Sequence, residues 1–284
     1  MKPSPFNYYR ANSIEQALSL LDEHGDDAEV LAGGQSLMAM LNLRLLAPEA
    51  LIDINSIKDL QGITIEDNAV RIGALTRHID VERSEVIAQH LPLLSKAIRH
   101  VAHAAIRNRG TLGGSISLAD PAAEMPACAV ALNAEIEVQG SAGIRRIFAD
   151  NFFHGLFETE RKPDELLTAV RFPLPSTDSR SAFCELARRH GDYALVGVAI
   201  HGPVTDLVLG ALQIVYFSVG DRPVIAAQAS QALEGKKLTE DALSLAQEAL
   251  DNDLAPSSDI HGSAKFKQHL ARVILGRALN QLVE

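Results

Sequence analysis

The chain has 284 residues, a length that predicts two or three compact units. Hydrophobic residues make up 47% and charged residues 22%, ordinary for a globular protein and enough for a sizeable core. A formal net charge of -10 argues against broad contact with a nucleic-acid backbone, which needs clustered Lys and Arg, and leaves room for a local anion site near Arg107 and Arg109.

Met1-Lys2-Pro3-Ser4-Pro5 leads into no apolar run of signal length, and no later stretch is long enough for a membrane span, so a cytoplasmic chain with no membrane span is expected. Ser13-Ile14-Glu15-Gln16 reads as a capping box, with Ile14, Ala17, Leu18 and Leu21 at helical spacing and Gly25 as the stop. A strand over 29–31 runs into a glycine loop. Ser36 then caps a helix bearing Leu37, Met40 and Leu41 on one face, and a second strand covers 51–54. The start is thus αβαβ. Asp67-Asn68 between Ile63-Thr64-Ile65 and Val70-Arg71-Ile72 signals a hairpin. Thr76 is expected to cap a helix toward His90, and a second helix follows Pro92 with Leu94, Ala97, Ile98, Val101 and Ala102 as its apolar face.

Asp120-Pro121 fits the cap and first position of a helix reaching about Leu132, and 135–139 alternates like a strand. Residues 172–179 carry prolines and small polar residues and read as a linker. Beyond them, 193–200 and 208–218 read as strands of an antiparallel sheet, and 224–233, 240–250 and 263–282 as helices.

The two glycine pairs, Gly33-Gly34 and Gly113-Gly114, carry the strongest chemical signal. Glycine lets a backbone turn through φ > 0 and lets a ligand approach closely, and the amides such turns free can cradle an anion. Either pair alone is equally an ordinary turn. Two such loops, each beside small hydroxylated residues, suggest two walls around one phosphate-bearing ligand. No GxGxxG follows either strand, which removes a Rossmann site. Asp120 and Glu124 could accept hydrogen bonds from ribose or ribityl hydroxyls, or could be a helix cap and a solvated face. His100 and His103 could share a helix face, with no third ligand for a metal. Arg188-Arg189-His190-Gly191-Asp192-Tyr193 is either a charged turn or a mount for Tyr193 against a planar ligand. Cys128 and Cys184 lack any metal-ligand spacing, so the chain has no iron–sulfur or zinc site of its own, and both are expected as free thiols.

Ala32-Gly33-Gly34-Gln35-Ser36, Thr111-Leu112-Gly113-Gly114-Ser115 and Arg189-His190-Gly191-Asp192-Tyr193-Ala194 stand in an order and spacing that resemble the medium, FAD-binding subunit of molybdenum hydroxylases. Aerobic carbon monoxide dehydrogenase and the xanthine dehydrogenase family belong to that group. The resemblance runs on through Asp150-Asn151-Phe152-Phe153, Pro163-Asp164-Glu165-Leu166-Leu167 and Arg277-Ala278-Leu279. It implies an α+β fold: a vanillyl-alcohol-oxidase-type (PCMH-like) FAD-binding domain of two α+β subdomains, 1–57 and 58–175, and a C-terminal antiparallel sheet with helices over 176–284. It implies that FAD lies between the first two units. Ala32, Gly33, Gly34, Gln35 and Ser36 with Thr111, Leu112, Gly113, Gly114 and Ser115 would hold the pyrophosphate. Asp120 would meet the ribityl or ribose region, Tyr193 the isoalloxazine, and Ala102 and Leu167 would complete the site. Gln35 departs from relatives with His or Asn there, and all three can hydrogen-bond.

The same resemblance implies an oxidoreductase subunit that uses FAD to receive electrons from two 2Fe–2S clusters and pass them to an external acceptor. The clusters and the molybdenum cofactor would sit on a small iron–sulfur subunit and a large molybdenum subunit, in a dimer of heterotrimers. No catalytic side chain and no metal ligand is expected on this chain. The alternative is a self-contained FAD-dependent oxidase or reductase of the same broad fold.

Overall fold

A computed structural model describes residues 2–283. The first unit is a three-stranded parallel sheet in which Ala50–Asp53 lies between Asn7–Arg10 and Ala28–Leu31. The Ile14–His24 helix crosses between the first two strands in sequence. Ser13 Oγ accepts from Gln16 N at 3.2 Å, the first half of the expected box, while Gln16 Oε1 reaches back one residue further and accepts from Asn12 N at 2.9 Å; Gly25 at φ 54° ends the helix. The start is therefore βαβαβ, not αβαβ. Asn7–Arg10 is a mostly exposed edge strand with no apolar alternation to betray it.

The second unit is a five-stranded antiparallel sheet in the order Ile63–Glu66, Ala69–Gly73, Leu166–Pro173, Glu135–Gly140, Gly143–Phe148. The hairpin forms with Asp67 at φ 47° and Asn68 at φ 58°, as a two-residue turn of left-handed residues requires. The middle strand, Leu166–Pro173, takes in the first two residues of the expected linker. Pro173 is tolerated because it ends the strand, opposite Ala69.

The helices on this sheet differ from expectation in four places. Thr76 does not cap a helix: it is buried, and its hydroxyl bridges Gly62 N and Gly62 O, both at 3.0 Å. The expected helix to His90 is two short ones, His78–Arg83 and Glu85–His90, broken at Ser84, whose hydroxyl caps the second. The helix after Pro92 stops at Ala97, which leaves Val101 and Ala102 in a turn with Ala102 at φ 44°. Asp120-Pro121 caps nothing. Asp120 Oδ1 closes a tight turn on Ala122 N at 2.9 Å, and the helix begins later, at Glu124–Ala131.

The third unit is a sheet built on the antiparallel strands Ser179–Ala187, Ala194–Thr205 and Gln213–Phe217. Val208–Leu209 and Gln213–Phe217 are separate strands, and Val224–Ile225 is a strand before the Ala227–Leu233 helix. Ala264–Val283 covers one face, with Glu240–Asp253 packed on it and on Ala227–Leu233, and the buried Tyr216 hydroxyl donates to Ala271 O at 2.9 Å. The other face packs on the Glu124–Ala131 helix, every residue of which is buried. Phe183, Ala199, Val215 and Phe217 thereby share one core with Ile72, Leu112, Met125 and Phe172.

Candidate functional site

A cleft of about 890 Å³ runs between the first and second units and is bounded at one side by the 188–193 turn. Its volume lies within the roughly 300–1,000 Å³ usual for small-molecule and cofactor sites.

Residues Ala32, Gly33, Gly34, Gln35 and Ser36 line the first wall, at the end of the Ala28–Leu31 strand. Gly34 turns the chain at φ 70°, and Gln35 Nε2 fastens the turn by donating to Gly33 O at 3.0 Å. The backbone N–H groups of Gly33, Gly34, Gln35 and Ser36 donate to no acceptor among the described residues. Ser36 stands at the cap position of the Leu37–Leu43 helix, but its hydroxyl makes no capping bond. Four successive amides and one hydroxyl are thus held in reserve, a donor set suited to a multiply charged anion.

The second wall differs. Thr111, Gly113, Gly114 and Ser115 line the cleft, yet the glycine pair is no loop: it forms the first turn of the Leu112–Leu118 helix. Thr111 Oγ1 caps that helix by accepting from Gly114 N at 3.0 Å. Leu112 N donates to Thr76 O at 3.0 Å and Gly113 N to Ala74 O at 2.9 Å, so these amides are already engaged. Leu112 does not line the cleft; its side chain is buried in the core.

The need for glycine is also not the one expected. A Cβ on Gly113 would lie 2.7 Å from Ala74 Cα, and one on Gly33 would lie 2.9 Å from Gly110 Cα and closer still to Arg109 O. Both glycines admit protein backbone. Gly33 lets the first wall rest directly on the segment that leads into the second.

Two side chains with no motif of their own bolt the walls together. Asn55 Nδ2 donates to Ala32 O at 2.8 Å and to Asp53 Oδ1 at 2.7 Å. Arg77 donates through Nη2 to Asn55 Oδ1 at 2.7 Å and through Nη1 to Arg109 O. Arg107, expected as an anion ligand, is committed elsewhere. Its Nε pairs with Glu82 at 2.8 Å and its Nη1 donates to Val101 O and Ala102 O at 3.0 and 3.1 Å. Neither Arg107 nor Arg109 lines the cleft.

Ala102, Leu167, Asp120 and Tyr193 complete the lining among the expected residues. Tyr193 is 67% exposed and is carried just ahead of the Ala194–Thr205 strand by a turn in which Gly191 takes φ 87°. A Cβ there would strike the His103 ring and lie 3.1 Å from Ala102 O, so the turn seats tightly on the strained Ala102. His100 and His103 do not share a helix face; His100 Nδ1 lies 3.0 Å from Glu185 Oε1, and His103 precedes the Ala104–Arg107 helix. Glu124 is not on a solvated face. It is 8% exposed and lines the cleft, and its carboxyl is pushed up to about 8, chiefly by burial and then by the Glu185 and Asp120 carboxylates against its own backbone amide and His100.

The cleft is also lined by Glu29 and Arg161, which no sequence pattern singled out. Burial raises the Glu29 carboxyl against the pull of Arg161, whose Nη1 donates to Lys162 O and Glu165 O at 2.9 and 2.8 Å. Both cysteines are free. Among the described residues no cluster of His, Cys, Asp or Glu could hold a metal ion, and no helix is long and apolar enough to cross a membrane.

Comparison with known proteins agrees with this geometry. Residues 4–175 match the family model for the FAD binding domain in molybdopterin dehydrogenase, and residues 181–282 match the CO dehydrogenase flavoprotein C-terminal domain. The chain is 38% identical to the 6-hydroxypseudooxynicotine dehydrogenase complex subunit alpha of Paenarthrobacter nicotinovorans, over 98% of this chain and 95% of that one. It is 37% identical to caffeine dehydrogenase subunit beta of Pseudomonas sp. (strain CBB1), over 98% and 95%. Among solved structures, carbon monoxide dehydrogenase from Hydrogenophaga pseudoflava superposes with a TM-score of 0.96 at 36% identity, over 99% of this chain and 98% of that one.

Proposed function

The chain belongs to the family of FAD-binding medium subunits of molybdenum hydroxylases, and from that membership we propose that it holds FAD in the cleft and serves as the electron exit of a multi-subunit dehydrogenase. The observation that carries the reading is the row of four unengaged amides at Gly33–Ser36, a donor set suited to a diphosphate. In this reading those amides and the Ser36 hydroxyl donate to the diphosphate. Thr111, Gly113, Gly114 and Ser115 shape the facing wall, and Leu112 supports it from the core. Asp120 accepts from hydroxyls of the ribityl or ribose portion. Tyr193 offers the flat face of its ring to the isoalloxazine, and Ala102 and Leu167 close the space around it. Bound FAD supplies the exchange between one-electron and two-electron carriers; the chain supplies binding, orientation and electrostatics.

The partner chains follow from chemistry this chain does not carry. A small subunit with two 2Fe–2S clusters delivers electrons, and a large subunit with the molybdenum cofactor oxidises the organic substrate, arranged as a dimer of heterotrimers. Relatives named for 6-hydroxypseudooxynicotine, caffeine and carbon monoxide are 35–38% identical to this chain, which supports a substrate pocket on another subunit. The units 1–57, 58–175 and 176–284 divide the work as two walls of the cleft and the mount for Tyr193. Two free thiols support a reducing, cytoplasmic setting.

Purification of the native complex tests this reading. Flavin absorbance on this chain, with an iron–sulfur chain and a molybdenum chain in the same particle, is expected. Oxidation of an organic substrate at full rate by this chain alone would favour a self-contained flavin enzyme instead.

A further inference from the structure

Glu124 is an ionisable group in the cleft to which the functional reading gives no task. It opens the Glu124–Ala131 helix and lines the cleft at 8% exposure. Its carboxyl has no hydrogen bond to another residue among those described; the donor beside it is its own backbone amide. Behind it, Met125 to Ala131 are all buried, so the carboxyl stands on an apolar floor.

The titratable groups that face it come from every neighbouring element. They are Asp120 from the preceding turn, Glu185 from the Ser179–Ala187 strand, His100 from the turn after Pro92–Ala97, Tyr193 from the 188–193 turn, and Cys128 from its own helix. Two of the five are carboxylates. The cation among them, His100, is tied to Glu185 Oε1 at 3.0 Å, and Glu185 Oε2 is itself buried without a partner. An ionised Glu124 would be a buried, unpaired anion beside two others. Such a group keeps its proton.

Resting on the FAD reading above, we propose that Glu124 meets the bound cofactor as a carboxylic acid, donating its O–H to an acceptor on the flavin nucleotide, and that the chain releases FAD as this acid ionises. The sign follows from linkage. The binding-competent form is the protonated one, so affinity is full below the ionisation near about 8 and falls above it, by up to about tenfold per pH unit. Cys128 and Tyr193 are both shifted upward, the first by complete burial and the second by desolvation and then Asp120, which takes them out of this window.

The test is a fluorescence titration of the flavin-free full chain with FAD between about pH 6.5 and about pH 9. Wild type is expected to lose about fivefold to tenfold in affinity across that range. Glu124→Gln, whose amide donates a similar bond and has no proton to lose, should stay within about threefold of the wild-type value at the acid end and remain flat. A protonated-carboxyl infrared band that disappears in step with FAD release provides a second readout in wild type, should the variant fail to fold. Wild-type binding that is tight and indifferent to pH overturns this proposal alone. A parallel decline in Glu124→Gln also overturns it and assigns the effect to His100. No FAD binding by wild type at any pH overturns it together with the FAD reading.

Discussion

The two glycine pairs look alike in sequence and do different physical work. At Gly33-Gly34 the chain is a true loop whose amides are left unengaged. At Gly113-Gly114 it is a capped helix turn whose amides are engaged by Thr76, Ala74 and Thr111. The first pair leaves donors free, and its Gly33 also admits the backbone at Arg109 and Gly110. The second is a packing device that brings a helix against Ala74 so that its end can face the first. A Gly-Gly dipeptide therefore reports close approach without saying whether ligand or protein makes it.

The sharpest way to break this contrast is to fill both glycines. Gly113→Val would drive a branched side chain into the Ala74 backbone, and overpacking there should cost about 3 kcal/mol or more, seen as a lowered Tm of the flavin-free chain. Gly33→Val should lower Tm too, since its side chain would meet Arg109 O and Gly110 Cα, and should in addition cut FAD affinity about 100-fold, because the displaced wall carries the unengaged amides. FAD affinity unchanged in Gly33→Val would erase the distinction. Next in size is the bolt between the walls. Asn55→Ala leaves Arg77 Nη2 without its acceptor and Ala32 O without a donor, and about 1–3 kcal/mol of wall positioning should appear as weaker FAD binding with the C-terminal unit intact by hydrogen exchange. Smallest is the cap: Thr111→Ala should lower stability by about 1 kcal/mol, with Thr111→Ser restoring most of it.

Local signals in the sequence were legible where local physics decides the outcome. The Ser13–Gln16 cap, the Asp67-Asn68 turn and the long C-terminal helices all form. Signals failed where tertiary structure overrides them. Gly113 and Gly114 sit in a helix despite their poor propensity, because Thr111 caps it and Ala74 closes on it. Leu166–Pro173 ends in a proline-rich run yet is the centre of its sheet. Glu124 has the pattern of an exposed first-turn acid and becomes buried only when the C-terminal sheet covers its helix. Asn55 and Arg77 lie 22 residues apart, and nothing local marks them as partners. Of the residues the resemblance implied, every one but Leu112 lines the cleft, whereas Arg107 and Arg109, singled out by charge alone, do not.

On the FAD reading, the unengaged amides of Gly33–Ser36 hold the diphosphate. Competition of ADP and of adenosine against FAD for the flavin-free full chain isolates that contribution, since adenosine keeps the base and the ribose and lacks the diphosphate. With charge-assisted bonds from several amides at stake, ADP should compete about 100-fold better or more. Equal competition by the two would show that these amides hold no diphosphate.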